Sequence, residues 1–370
     1  MMSIKHGEEV SILRAKDVFS YPCITSLTMC NGKYYGNRFD RNGLLGLDLE
    51  KGTVHVEKIY GSVDALAEWQ FGALITVKDV LYSIPLFADY IAVYSIEKRS
   101  IGKIVLDDSK LLASKAKLDA AFLVDDDIWM TPKSCFCMAK LDVLTNNISY
   151  YDGMETILRG ECYEKWPHIV RKTICSLGKI YMMLWESNCL IEFDIVNKRY
   201  QKLNCFDGGV TIRDIVTVGK IIVIYCSNGK VYCLQDGELN SICQLENSGN
   251  PKSMLAVDYD VWIVDSCSNS IVVIKPESNG YDSIKTIYID HDIHNGFLWF
   301  DGSSKVYILP SKECRQTVII DINDFSTQKK MFKISAEDEM LYRELIKKRS
   351  MFYEKKVTLD DFLGIKFGCC

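Results

Sequence analysis

Short runs of hydrophobic residues at near-alternate positions recur along the chain, and each run follows a tight polar turn. In the middle of the chain this pattern predicts four strands, at residues 173–177, 179–185, 189–195 and 199–204. Strands rich in Ile, Val, Tyr and Trp are typical of sheets that pack face to face. The pattern continues to about residue 334 and therefore predicts an all-β protein with a different C-terminal segment.

A two-strand hairpin repeats seven times along the chain. The fourth residue of each copy is hydrophobic, and the seven equivalent positions are Tyr35, Leu81, Trp129, Tyr181, Ile222, Trp262 and Tyr307. The second strand reaches its polar turn 12 to 14 residues later, whereas successive copies lie 40 to 52 residues apart. Four strands in such a period are typical of a β-propeller blade. We predict a seven-bladed β-propeller with four-stranded antiparallel blades, and six or eight blades are the alternatives.

The repeat divides the chain into three parts. Residues 1–20 form an N-terminal arm, 21–334 the propeller and 335–370 a helical tail. A strand at 9–14 could close the ring by pairing with 328–334, and a loose arm is the alternative. The tail begins with a capping serine, Ser335, followed by acidic and then basic residues, as helix ends favour. It either packs on the propeller or docks on a partner.

One repeat carries a family resemblance. The hairpin at 178–181 is followed by Asn188, Leu190, Ile191, Phe193, Asp194 and Ile195. This pattern resembles the repeats of Kelch-like, YncE-like and quinoprotein-like bacterial propellers. The resemblance implies the architecture and a bacterial protein, and it carries over no functional residue. The chain departs from Kelch repeats because Gly208–Gly209 is its only glycine doublet.

Composition narrows the function classes. The 370 residues include 44 Lys and Arg, 49 Asp and Glu, and 48% hydrophobic residues, for a net charge of −5. Such a chain buries a large core, and without a basic run it is not expected to bind nucleic acid. The longest apolar stretch, 215–226, is too short to span a bilayer, and the N-terminus lacks an apolar signal region. Fifteen scattered cysteines indicate reduced, mostly buried thiols, so we expect a cytoplasmic location.

Motifs for common chemistry are absent from the sequence. No phosphate-binding glycine loop, nucleophile elbow or zinc-protease motif occurs. His291, Asp292 and His294 could bind a metal, but their predicted position in a connection between blades favours ordinary loop polarity. Cys135 and Cys137 are expected to be a packed pair in a strand. We therefore predict no cofactor and no metal, and leave Cys369 and Cys370 without an assigned role.

The longest interval, 52 residues before the fourth blade, places an insertion at about 152–171. Propellers bind ligands where the connections between blades converge, and aromatic rings there can stack on sugars or aromatic side chains. We expect the insertion and connections of the same class to surround one mouth of the channel. The candidate binding residues are Trp69, Glu161, Tyr163, Trp166, His168, Arg171, Asp207, Arg213, Asp292 and His294.

The favoured function is that of a non-enzymatic propeller that binds a protein or a glycan at the rim near blades 3–5. One alternative is a glycan hydrolase, lyase or transferase with acid–base residues in the channel. Its candidates are Asp64, Glu161, His168, Asp207 and Asp214. Another alternative is an accessory partner of a cell-surface or peptide-modifying enzyme, docked through the C-terminal tail.

Overall fold

The computed structural model describes most of the chain between residues 24 and 344. The described ranges are 24–38, 42–60, 70–107, 109–111, 116–158, 169–206, 209–245, 253–265, 269–277, 280–289, 297–309, 317–331 and 333–334, with residues 337, 338, 340, 341 and 344. Within these ranges, no helix has the length and apolar character required to cross a membrane.

Seven four-stranded antiparallel sheets follow one another along the chain, as the repeat predicts. The strands of blades 1 to 4 are β1 Ile24–Cys30, β2 Lys33–Arg38, β3 Gly43–Asp48, β4 Thr53–Ile59, β5 Phe71–Val77, β6 Val80–Pro85, β7 Tyr90–Ser95, β8 Ser100–Val105, β9 Leu118–Val124, β10 Asp127–Pro132, β11 Met138–Asp142, β12 Ile148–Tyr151, β13 Val170–Ser176, β14 Lys179–Leu184, β15 Cys189–Asp194 and β16 Arg199–Asn204. A short helix, α1 Met154–Ile157, follows β12.

Blades 5 to 7 repeat the same order. Their strands are β17 Ile212–Val218, β18 Ile221–Cys226, β19 Lys230–Gln235, β20 Glu238–Gln244, β21 Ser253–Val257, β22 Asp260–Asp265, β23 Ser270–Glu277, β24 Gly280–Tyr288, β25 Phe297–Phe300, β26 Lys305–Leu309, β27 Thr317–Asp321 and β28 Thr327–Lys330. The fold is a seven-bladed β-propeller. In blade 4 the predicted and observed strands differ by at most three residues at either end.

The first strand of each blade lies innermost. Consecutive first strands contact one another from β1 to β25, while each sheet extends outward in sequence order to its fourth strand. Every first strand therefore begins at one mouth of the central channel and ends at the hairpin turns of the opposite face.

The hydrophobic core is divided among the seven interfaces between consecutive blades. Each interface contains its own cluster of buried residues, including the one that joins blade 7 to blade 1. Between blades 3 and 4, Trp129 packs against Phe193 with ring centroids 5.6 Å apart. The alternation of hydrophobic side chains along the strands explains this arrangement. Successive side chains point to opposite faces of a sheet, so each blade packs against the blade before it with one face and against the blade after it with the other.

The ring is closed at blade 1 by a fifth strand, β29 Lys333–Ile334. It pairs in parallel with β4, where Lys333 lies opposite Thr53 and Ile334 opposite Val54. Farther along, an Asp338 carboxylate oxygen accepts a hydrogen bond from the Val56 N–H at 3.1 Å. Residues 9–14, the predicted partner of 328–334, lie outside the described residues, and β28 pairs with β27. All five described residues of 337–344 are helical.

The thiols of Cys135 and Cys137 are buried, as expected, but the segment is not a strand. Both residues lie in the connection between β10 and β11. There the Cys135 thiol donates to the Lys117 carbonyl at 3.0 Å and the Cys137 thiol to the Lys110 carbonyl at 3.4 Å. The prediction of a strand was wrong because β10 ends at Pro132 and the chain must turn before β11. All nine described cysteines are free thiols.

Candidate functional site

Five inner strands carry an irregularity at the same place. In blades 1 to 5 the pairing of the first strand with the second shifts by one residue near its start, which is a β-bulge. The shift falls at Thr25, Gly72–Ala73, Asp119–Ala120, Arg171 and Arg213. In a bulge, one strand has an extra residue that is left out of the pairing, and the regular alternation of side chains between the two faces is interrupted there. The described parts of β21 and β25 pair without a shift.

Arg171 and Arg213 occupy the bulges of blades 4 and 5 and lie near each other at the channel mouth. The Arg171 guanidinium carbon lies 5.2 Å from the centre of the Trp185 ring, a cation–π distance. Burial lowers the pKa of the Arg171 guanidinium, and the Arg213 charge acts in the same direction, whereas Asp214 and Glu186 oppose both. Arg171 nevertheless remains a cation at neutral pH because a guanidinium does not deprotonate in proteins.

Asp214, next to Arg213, connects three blades. Lys172 of blade 4 places its ammonium 2.6 Å from one Asp214 oxygen and also donates to the Met254 carbonyl of blade 6 at 2.9 Å. The Met254 N–H donates to the other Asp214 oxygen at 2.6 Å, and the Ile215 N–H donates to the first at 2.7 Å. Asp214 is buried, with 3% of its surface exposed. Its oxygens are thus occupied by groups of the protein itself.

Among the described residues, three cations and two carboxylates lie at the mouth of blades 4 and 5. The carboxylates are Glu186, which is exposed, and Asp214, which is held by Lys172 and two backbone N–H groups. The Arg213 Nε is buried and receives no hydrogen-bond acceptor from the described residues. A carboxylate is one acceptor that satisfies such a donor. This part of the mouth can hold a carboxylate or a similar acceptor.

The bulges of blades 2 and 3 contact each other more closely. A Cβ added to Gly72 would lie 2.7 Å from an Asp119 carboxylate oxygen, so only glycine fits there. Asp119 itself pairs with the Lys133 ammonium at 2.6 Å. The Asn37 amide of blade 1 donates to the Ala73 carbonyl at 2.9 Å. On this side of the mouth, Asp119, Lys133 and Asn37 thus all have partners within the protein.

Eight of the ten candidate residues predicted from the sequence lie outside the described residues: Trp69, Glu161, Tyr163, Trp166, His168, Asp207, Asp292 and His294. All eight belong to connections that lead from the outer strand of one blade to the inner strand of the next. Their common position at one mouth stays a prediction. The two described candidates, Arg171 and Arg213, do lie together at that mouth.

Most of the acid–base candidates also lie outside the described residues. Asp64, Glu161, His168 and Asp207 lie outside the described residues. Asp214 is described, and its carboxylate is engaged by Lys172 and two backbone groups. This geometry fits a structural carboxylate rather than a proton donor.

A second concave site, which sequence reasoning missed, lies at the opposite end of the ring. It is a groove of about 590 Å³ around the hairpin turns of blades 7 and 1. His55 and Glu57 of β4 line it together with Lys33, Tyr34 and Lys305. The sequence His55-Val56-Glu57 could have indicated it. Residues two apart in a strand share a face, so the imidazole and the carboxylate lie together.

Neither a protein-family model nor a curated protein sequence matches this chain. Solved structures do resemble it. PorZ, a surface component of the type-IX secretion system of Porphyromonas gingivalis, has a TM-score of 0.56 and 13% identity, covering 86% of this chain and 39% of PorZ. YCF48 bound to D1 peptide has a TM-score of 0.62 and 11% identity, covering 82% of this chain and 95% of YCF48.

The extracellular domain of BT4673, a putative hybrid two-component system of B. thetaiotaomicron, has a TM-score of 0.54 and 12% identity. That alignment covers 84% of this chain and 38% of the BT4673 domain. This chain thus spans about two fifths of PorZ and of BT4673 and nearly all of YCF48. At these identities the likeness is one of fold, the β-propeller.

Proposed function

We propose that this propeller is a non-enzymatic binding protein that holds an acidic segment of a protein partner at the channel mouth of blades 4 and 5. The observation that carries the proposal is the pair of arginines on adjacent bulges, Arg171 and Arg213. Their only described buried carboxylate neighbour, Asp214, is already held by Lys172 and by backbone N–H groups. A partner's carboxylate would supply the acceptor that the described residues do not provide for the Arg213 Nε.

Two further facts support a protein ligand. YCF48, which has the same fold, has been solved with a peptide bound. In this chain the longest interval between repeats leads directly into β13, which carries Arg171. Connections of this kind carry binding residues more often than the strands they join.

The test uses a library of short peptides in which one position is fixed as Asp, Glu, Lys or Ala. The full-length protein should enrich the Asp and Glu peptides. Arg171→Ala and Arg213→Ala should each weaken the binding of an enriched peptide about 10- to 100-fold, and the double variant more, because one hydrogen bond to a charged group contributes about 1.5–3 kcal/mol. Isothermal titration calorimetry measures the affinity.

Arg199→Ala is the matched control, since Arg199 is an exposed arginine on the outer strand of blade 4. This variant should bind the peptide as the wild type does. Circular dichroism should show the same fold for all variants. Equal enrichment of Lys and Asp peptides, or undiminished affinity in the double variant, would refute the proposal.

A further inference from the structure

The turn between β14 and β15 is fixed beside Arg171. Its first residue, Trp185, donates its backbone N–H to the Ile169 carbonyl at 3.1 Å, two residues before Arg171. The Trp185 ring lies 5.2 Å from the guanidinium carbon of the same arginine. The next residue of the turn, Glu186, is exposed to solvent. A backbone hydrogen bond and a cation–π contact therefore hold this glutamate close to the first of the two proposed binding arginines.

The same turn is also fixed to the strand that carries Arg213. The Ser187 carbonyl accepts a hydrogen bond from the Ile212 N–H at 2.8 Å, and Ile212 directly precedes Arg213. Glu186 is thus the residue between two backbone anchors, one leading to each bulge. Its position at the mouth depends on these main-chain contacts, so exchange of its side chain should leave the turn in place.

Glu186 acts on the site through its charge rather than by direct pairing. Among the described residues, no ion pair joins Glu186, Arg171 or Arg213 to an oppositely charged side chain. Burial lowers the pKa of the Arg171 guanidinium, whereas the Glu186 charge raises it. No described carboxylate therefore occupies either guanidinium, while a fixed negative charge lies beside them.

The charges at this part of the mouth can be compared directly. Lys172 and Asp214 form a pair at 2.6 Å and offset each other. Of the other described charges there, Arg171 and Arg213 are positive and Glu186 is negative, which leaves an excess of one positive charge. A single carboxylate neutralises this excess. A second negative charge on the ligand would find no unpaired positive charge among these groups and would be repelled by Glu186.

A phosphate group would otherwise suit a pair of arginines. Guanidinium groups form charge-assisted hydrogen bonds with phosphates as well as with carboxylates, and a phosphoserine carries about −1.5 to −2 charges at neutral pH. The negative charge of Glu186 distinguishes the two ligands. Building on the peptide binding proposed above, we infer that Glu186 makes this mouth selective for a segment with a single carboxylate, against a phosphorylated segment or two adjacent acidic residues.

The experiment compares three forms of one peptide that the full-length protein enriches from the library. One form has a single Asp, the second has phosphoserine in its place, and the third has another Asp beside the first. Calorimetry should show that wild type binds the single-Asp form most tightly. Glu186→Gln should strengthen binding of the two more highly charged forms about fivefold and of the single-Asp form about twofold, because the repulsion that it removes grows with the charge of the ligand.

Salt and a second glutamate provide the controls. The gain in Glu186→Gln should shrink in about 0.5 M salt, because salt screens charges that are exposed to solvent. Glu238→Gln is the matched variant, since Glu238 is an exposed glutamate at the hairpin end of blade 5, where β20 begins. This variant should leave all three affinities unchanged.

The outcomes distinguish the role of Glu186 from peptide binding as such. Binding of single-Asp peptides that requires Arg171 and Arg213, but with all three affinities changed by the same factor in Glu186→Gln, would leave the proposed function intact and refute the selectivity. Tighter binding of phosphoserine than of Asp by wild type would refute the selectivity as well. Failure of wild type to bind any acidic peptide would overturn the proposed function and its charge selectivity together.

Discussion

At the scale of single residues, Asp214 shows how one buried charge ties blades together at the channel mouth. One buried carboxylate accepts from Lys172, Met254 and Ile215 and so joins the inner strands of blades 4, 5 and 6. Both Asp214 oxygens are engaged in this way, although the Asp214 charge still acts on the Arg171 guanidinium. The proposed ligand carboxylate would therefore meet the arginines rather than compete for the groups that hold Asp214.

Asp214→Ala should lower the free energy of unfolding by about 3 kcal/mol, measured by urea denaturation. Removal of one partner from a buried ion pair costs about 3–5 kcal/mol, and the low end applies because 31% of the Lys172 side chain is exposed. Asp282→Ala is the control, since the Lys275–Asp282 pair is half-exposed on both sides and should contribute less than about 1 kcal/mol. Similar losses for the two variants would contradict the structural role of Asp214.

At the scale of elements, the hairpin turns are built on one geometry with different residues. Asn31–Gly32 and Leu177–Gly178 both have positive φ at both positions, 51° and 71° in the first and 52° and 73° in the second. This is the turn whose twist matches a two-residue hairpin, and Asn-Gly is its preferred sequence. Leu177 is 65% exposed. Its side chain therefore gains little burial energy to offset the free-energy cost of the left-handed backbone conformation.

Leu177→Asn should therefore stabilise the protein by about 1 kcal/mol, because a left-handed conformation costs an ordinary residue about 1–2 kcal/mol and asparagine tolerates it. Urea denaturation measures the change. The control is Val196→Asn, which removes an apolar side chain that is 80% exposed in the other turn of the same blade, at a position without positive φ. Its effect should stay within about 0.5 kcal/mol. A loss of stability in Leu177→Asn would be evidence against the strain argument.

The same elements show what the sequence alone can predict. Alternation and the constant hairpin length were enough for the seven blades, because both are local properties of the chain. The bulges at Arg171 and Arg213 were not predictable. A bulge is a one-residue shift in the pairing of two strands, and the sequence of one strand does not show how it pairs with the next. The groove of His55 and Glu57 was missed for a similar reason. Part of its lining comes from blade 7, at the far end of the sequence, and Glu57 is held by Tyr94 of blade 2.

At the scale of the whole molecule, the ring is completed by a chain segment that follows the last blade. β29 adds a parallel fifth strand to blade 1, and Asp338 reaches the Val56 backbone beyond it. Each blade shares a hydrophobic cluster with both neighbours, so an opening at one interface affects the whole ring. The closing strand should therefore contribute to global stability.

Truncation after residue 331 should lower the free energy of unfolding by about 2–3 kcal/mol, since it removes the few hydrogen bonds of β29 and Asp338 at about 1 kcal/mol each. Truncation after residue 350 retains those contacts and serves as the control, with a melting temperature close to that of the full chain. Differential scanning calorimetry compares the three proteins. Equal melting temperatures for both truncations would show that β29 does not stabilise the ring.

The recurring bulge also has a consequence for how such a protein can diversify. In five blades one extra residue stands at the start of the inner strand, outside the pairing that builds the sheet. A substitution there changes what the mouth displays without altering the register of any blade. At the bulges of blades 4 and 5, substitution of Arg171 or Arg213 should therefore change the proposed ligand preference one blade at a time, without rebuilding the sheet.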